Sequence, residues 1–256
     1  MVKLLERATA GIRDFWSDES LNETDDEKEM TLIQHLEELR SRFLKAGLAL
    51  LGMTMLSLIF TPRFLEILKA PAPPGTNLVF IEVTEMFLTY FQVALMAGIG
   101  LASPVILYQL IAFISPGLTR REKRLLKVAL PFVVIFFAFG VLFGYFITLR
   151  FALSYLLGLF PEFASPQIRI ENFITFVSTV LLWMGIAFEM PVVVYVIAKL
   201  GIVTPDKLAR YRKYAILLFF VIAAIITPTP DPLNQTLVAA PMIVLYEVGI
   251  FIARVF

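Results

Sequence analysis

The stretch NFITFVSTVLLWMGIAFEMPVVVYVIAKL, residues 172–200, carries one charged side chain, Glu189, before its closing Lys199. A helix rises ~1.5 Å per residue and needs ~20 residues to cross a ~30 Å hydrocarbon core, so a run of about 30 spans a bilayer with tilt or overhang. The same character recurs on both sides of it, over residues 43–60, 87–115, 127–157, 214–226 and 236–253. Composition agrees. Of 256 residues, 59% are apolar and 17% charged, with a mean hydropathy of +0.81, against about 45–50% and about 25% in soluble domains. A soluble globular enzyme is excluded, and the fold class is all-α: a polytopic membrane protein with six transmembrane helices. The fifth stretch covers only ~20 Å at the same rise and stops at Thr227-Pro228-Thr229-Pro230-Asp231-Pro232, where a regular helix cannot continue. The sixth carries Pro241, Glu247 and Arg254. Both are therefore expected to be short, in a thinned bilayer or with water entering.

Lys and Arg placement sets orientation. Lys3, Arg7, Arg13, Lys28, Arg40, Arg42 and Lys45 lie ahead of the first stretch or at its start; Arg120, Arg121, Lys123, Arg124 and Lys127 run through the second connection to the start of the third stretch; Lys207, Arg210, Arg212 and Lys213 fill the fourth. The first connection holds only Arg63 and Lys69, the third only Arg169 near Arg150, and the fifth none. Basic and poor connections alternate through all six stretches, which places both termini in the cytoplasm of a cell-membrane protein.

Other totals exclude chemistry. Cys is absent and His35 is the only histidine, so no catalytic residue, metal site or cofactor is expected. The net charge of +1 shows no bias toward nucleic acid. Residues 1–30 stand apart as a tail or appended segment before a six-helix domain at 31–256. Leu5, Ala8, Ile12 and Phe15 would share one face of an interfacial helix there, ahead of the acidic run from Asp18 to Glu29.

The few acids are the informative residues. Glu189 lies near the middle of its span, where a carboxylate costs ~2.5–3.5 kcal/mol on insertion scales. It is either a packing residue hydrogen-bonded inside the bundle or a docking or proton-linked site, with Gln92 as a possible neighbour. Glu122 completes Thr119-x-x-Glu122, a capping box for the third helix. Glu38 is spaced for an i,i+4 pair with Arg42, and Asp231 and Gln235 are placed to cap the sixth helix. Pro104-Val105-Ile106-Leu107-Tyr108 and Pro191-Val192-Val193-Val194-Tyr195 repeat a proline followed by an interfacial tyrosine.

Several of these residues fall in ordered motifs: His35-Leu36-Glu37-Glu38-Leu39-Arg40-Ser41-Arg42, Ser103 through Gln109, Phe113 through Leu118 with Glu122, Phe188-Glu189-Met190-Pro191-Val192, and Thr227 through Met242. In this order they resemble the TatC family, the core membrane subunit of the twin-arginine protein translocase, over residues 31 to 256. The resemblance implies a concave, glove-like bundle with both ends cytoplasmic and short fifth and sixth helices. It also implies a receptor and scaffold that exports folded proteins by the proton motive force. Its partners would be TatA/TatB-type single-span subunits, twin-arginine signal peptides, membrane lipid and further copies of the chain. Carried over by position, Glu38, Arg40, Phe113 and Glu122 would bind the signal peptide. Glu189, with Gln92 beside it, would face the partners, and Asp231 and Gln235 would be functionally sensitive.

A proton-coupled small-solute transporter using Glu189 is the alternative from another class. It calls for several midplane polar groups and paired broken helices, and only Gln92, Glu189 and a few hydroxyls are available.

Overall fold

The computed structural model describes residues 32–72, 78–114, 120–158, 167–227 and 231–255. The readings made for residues 1–30 lie outside them. The order is α1 (Leu32–Lys69), β1 (Leu78–Val79), α2 (Glu85–Ile114), α3 (Arg120–Phe143), a π-helical turn (Gly144–Thr148), α4 (Leu149–Gly158), β2 (Ile168–Arg169), α5 (Ile170–Lys199), α6 (Pro205–Arg210), α7 (Arg212–Ile226) and α8 (Pro232–Val255).

Among the described residues, five helical segments are long and apolar enough to cross a membrane: those of α1, α2, α3 through α4, α5 and α8. The fifth stretch of the sequence forms α7, only 15 residues or ~22 Å long. That agrees with the short helix expected there.

The sixth helix corrects the sequence reading. It runs for 24 residues, ~36 Å, so it is not short. The apolar stretch at 236–253 marks only part of it, and the helix begins earlier, at Pro232. Asp231 accepts the amide of Asn234 through its side chain at 2.8 Å, Pro232 takes the first helical position, where its missing N–H is no loss, and Pro241 is absorbed inside.

The first helix also extends beyond the expected 43–60, over 38 residues with Pro62 inside it. Proline cannot bond to the carbonyl four residues back, which leaves the Leu58 oxygen open. The Tyr90 hydroxyl of α2 donates to that oxygen at 2.8 Å. The defect in one helix thereby becomes a bond to its neighbour.

Helix α5 is the axis of the bundle. Half of its apolar window is buried, against 6% of that of α1. It packs against α2, α3 and α8, while α1 lies on α2 and α7 on α8. Glycines permit the close crossings: a Cβ at Gly140 would meet the Gly185 Cα at 2.8 Å, and one at Gly98 the Thr54 Cα at 2.7 Å. Large apolar side chains such as Phe43, Leu48, Ile59, Phe139, Leu217 and Phe251 point outward, as helices solvated by lipid tails require.

The helix ends divide into two sides. On one lie the start of α3, the end of α5, α6 and the end of α8, with the basic residues. On the far side β1 pairs in parallel with β2, Leu78 opposite Ile168 and Val79 opposite Arg169.

Candidate functional site

On the basic side, the start of α1 meets the end of α2. Glu38 and Arg42 stand one turn apart on α1, and the Arg42 Nε donates to Glu38 Oε1 at 2.8 Å. This is the i,i+4 pair that the spacing gives. Arg42 also reaches the Gln109 side-chain oxygen on α2 at 3.4 Å. Phe113, half-buried, lies one turn beyond Gln109 on the same face. One seam therefore holds Glu38, Arg42, Gln109 and Phe113. Arg40, two positions from Glu38 on α1, is exposed. The backbone of Glu122 belongs to the first turn of α3, but its side chain, the capping box with Thr119 and the side chain of His35 lie outside the described residues.

Glu38 is asymmetric in its bonding. Its Oε1 accepts from two of the three guanidinium nitrogens of Arg42. Its Oε2 is buried and, among the described residues, has no donor. An acceptor in that condition carries a desolvation penalty that an incoming N–H group would relieve.

In the interior, Glu189 is buried between α5 and α2, and the Ser103 hydroxyl donates to its Oε1 at 2.6 Å. Ser103 directly precedes Pro104. Gln92 is not the neighbour of Glu189. It sits 11 positions from Ser103, ~16 Å along the helix, and accepts from the Thr175 hydroxyl at 3.1 Å. The sequence treated both as midplane polar residues, and helical rise separates them. The hydroxyl that does meet Glu189 was only one of several in the spans.

Asp231 caps α8 as expected, and Gln235 joins its first turn, its amide donating to the Asp231 carbonyl at 3.2 Å. Neither is brought to the Glu38 seam.

The far side holds a cluster that sequence reasoning missed. Glu85, 1% exposed, opens α2. Its carboxylate accepts the Ile81 amide at 3.0 Å, the Glu171 amide at 3.3 Å and the Arg169 guanidinium at 3.1 Å. Glu82 and Glu171 stand 3.8 and 3.5 Å from the same Arg169 nitrogen. The bond from Glu85 pushes the Arg169 pKa up, so this cation is fixed. Arg169 is 84 positions from Glu85, and each looks like an ordinary loop charge.

Comparison with known proteins places this arrangement. Residues 34–241 match the family model described as Sec-independent protein translocase protein (TatC). The chain is 40% identical over 230 residues to the Sec-independent protein translocase protein TatC of Carboxydothermus hydrogenoformans, covering 90% of this chain and 95% of that one. It is 33% identical to the protein of that name from Escherichia coli, covering 87% of this chain and 88% of that one. A crystal structure of the twin-arginine translocase receptor TatC superposes with a TM-score of 0.76 at 40% identity, covering 86% of this chain and 98% of that one. The extent of the match, in sequence and in three dimensions, leaves one conclusion: this multi-pass membrane protein belongs to the TatC family.

Proposed function

We propose that the chain is the signal-peptide receptor and scaffold subunit of a twin-arginine translocase in the cell membrane, exporting folded proteins with TatA/TatB-type single-span partners and the proton motive force. The observation that carries this reading is the half-used carboxylate of Glu38, with one oxygen held by Arg42 and the other buried without a donor among the described residues. A twin-arginine peptide supplies guanidinium forks, which bind carboxylates in charge-assisted pairs that an ammonium does not reproduce. Phe113 offers an apolar wall one turn from Gln109. Glu122 and Arg40 belong to the same cytoplasmic surface, where surrounding cations repel other basic segments. Six spans with both termini inside, α7 crossing a thinned bilayer, give the topology that agrees with the charge alternation.

In this reading Glu189 is where a partner's polar group exchanges for Ser103. Asp231 and Gln235 set the start of α8 that partners meet, and Gln92 supports α2 against α5. Several copies assemble in the receptor complex. Nothing in the comparisons favours a small-solute transporter.

Binding of a fluorescent twin-arginine peptide to the purified chain tests the receptor role. Glu38→Ala and Glu122→Ala should each weaken it at least ten-fold while the protein still inserts; unchanged affinity in the double variant overturns the assignment. Glu189→Ala should lose co-purification of single-span partners with peptide binding kept, and normal co-purification removes its partner role.

A further inference from the structure

A groove of about 470 Å3 opens between α3, α5 and α8 on the basic side of the molecule. Its walls are apolar: Leu125, Val128, Ala129 and Phe132 from α3, Val192 from α5 and Ile252 from α8. Among the described residues, the one charged side chain lining it is Arg124, at its basic end. Tyr195 also lines it, and Lys199 follows one turn later on α5, exposed. Lys127, exposed, lies one turn from Arg124 on α3.

Its length identifies the kind of occupant. From Arg124 to Phe136 the wall runs ~18 Å at 1.5 Å per residue, close to one leaflet, or about half of a ~30 Å hydrocarbon core. The groove therefore begins where headgroups lie and ends near the bilayer centre. One acyl chain of a lipid spans that depth, from headgroup to bilayer centre. Apolar walls topped by a cation, with two more at the rim, match a lipid whose tail enters and whose headgroup is negative, and basic pockets between transmembrane helices on the cytoplasmic side favour anionic headgroups.

We propose that this groove is a binding site for an anionic phospholipid, one acyl chain lying against α3 and α5 and the phosphate meeting Arg124. None of the residues lining it belongs to the Glu38 seam.

The test uses the full chain reconstituted in nanodiscs of mixed phosphatidylglycerol and phosphatidylcholine, released into detergent and weighed by native mass spectrometry. The native chain should retain phosphatidylglycerol at least ten-fold over phosphatidylcholine. Arg124→Gln should cut that preference to within about two-fold while some lipid is still retained. Ala129→Trp, which fills the groove, should retain neither. Val192→Phe plugs it from the α5 wall and carries the test if Ala129→Trp does not fold. Arg63→Gln, on the far side, should leave the preference unchanged. An unaltered preference in Arg124→Gln, or lipid retained at native level by a folded plugged variant, overturns the proposal, as does a peptide found in the groove in place of lipid.

Discussion

Two hydrogen bonds between helices carry much of what single residues decide here. The Tyr90 hydroxyl serves the Leu58 carbonyl that Pro62 leaves open, and no water is available in a bilayer to replace it. Tyr90→Phe is therefore expected to lower stability by about 1 kcal/mol, within the range measured for interhelical polar contacts in membranes, and unfolding in detergent checks it. Substituting Pro62 by Ala in the same background should recover most of the loss, because the residue-62 amide then serves Leu58 itself. Ser103 and Glu189 form the second bond at 2.6 Å. Ser103→Ala should weaken the seam between α2 and α5 by a similar amount, read by the same unfolding. At this scale the sequence was only partly legible. The Glu38–Arg42 pair and the Asp231 cap follow from spacing along one helix, which periodicity determines. The partner of Glu189 does not, since a contact between residues 86 positions apart depends on how two helices are rotated and offset.

Among the elements, the crossing of α1 with α2 and that of α3 with α5 depend on glycines whose missing side chains admit a neighbouring backbone. Gly98→Ala would set a Cβ against the Thr54 backbone. It is expected to separate α1 from α2 at a cost of about 1–3 kcal/mol, the usual penalty of overpacking, seen as faster hydrogen exchange along α1. The π-helical turn that joins α3 to α4 buries Thr148, whose hydroxyl has no partner among the described residues. Thr148→Val should therefore be neutral or stabilising, because removing an unpaired buried polar group removes its desolvation penalty; a marked fall in the unfolding midpoint would count against that. The helices themselves were visible in the apolar runs, since a bilayer demands them. Their ends were not. The apolar stretch at 236–253 missed the first residues of α8 because Asn234 and Gln235 are polar, and α1 runs on past residue 60 through Pro62, whose compensating bond from Tyr90 is invisible in sequence.

For the whole molecule, the charge alternation makes a sharp topological statement, and the absence of Cys makes it convenient to test. Single cysteines placed at Arg210 and Lys127 should react with an impermeant reagent only from the cytoplasmic face, and those at Arg63 and Glu82 only from the opposite face; labelling of residue 127 and residue 63 from one face would refute six crossings. The grouping of basic residues was readable because each connection is short. The far-side cluster was not, since Glu85 and Arg169 meet only when the first and third connections pair. Glu85→Ala should leave the Arg169 guanidinium without its main acceptor, lower the thermal midpoint by several degrees and expose both connections to protease, whereas Glu85→Gln, which still accepts from the Ile81 amide, should lose less. That cluster also has a mechanical meaning. The two connections are tied by a backbone ladder and by a shared carboxylate, and on the basic side α7 is joined to α8 by the exposed Arg212–Glu247 pair at 2.7 Å. Exposed ion pairs are weak tethers. The α7–α8 pair is thus held more loosely on the basic side than the two connections are on the far side, and when these helices part they should splay from the basic edge.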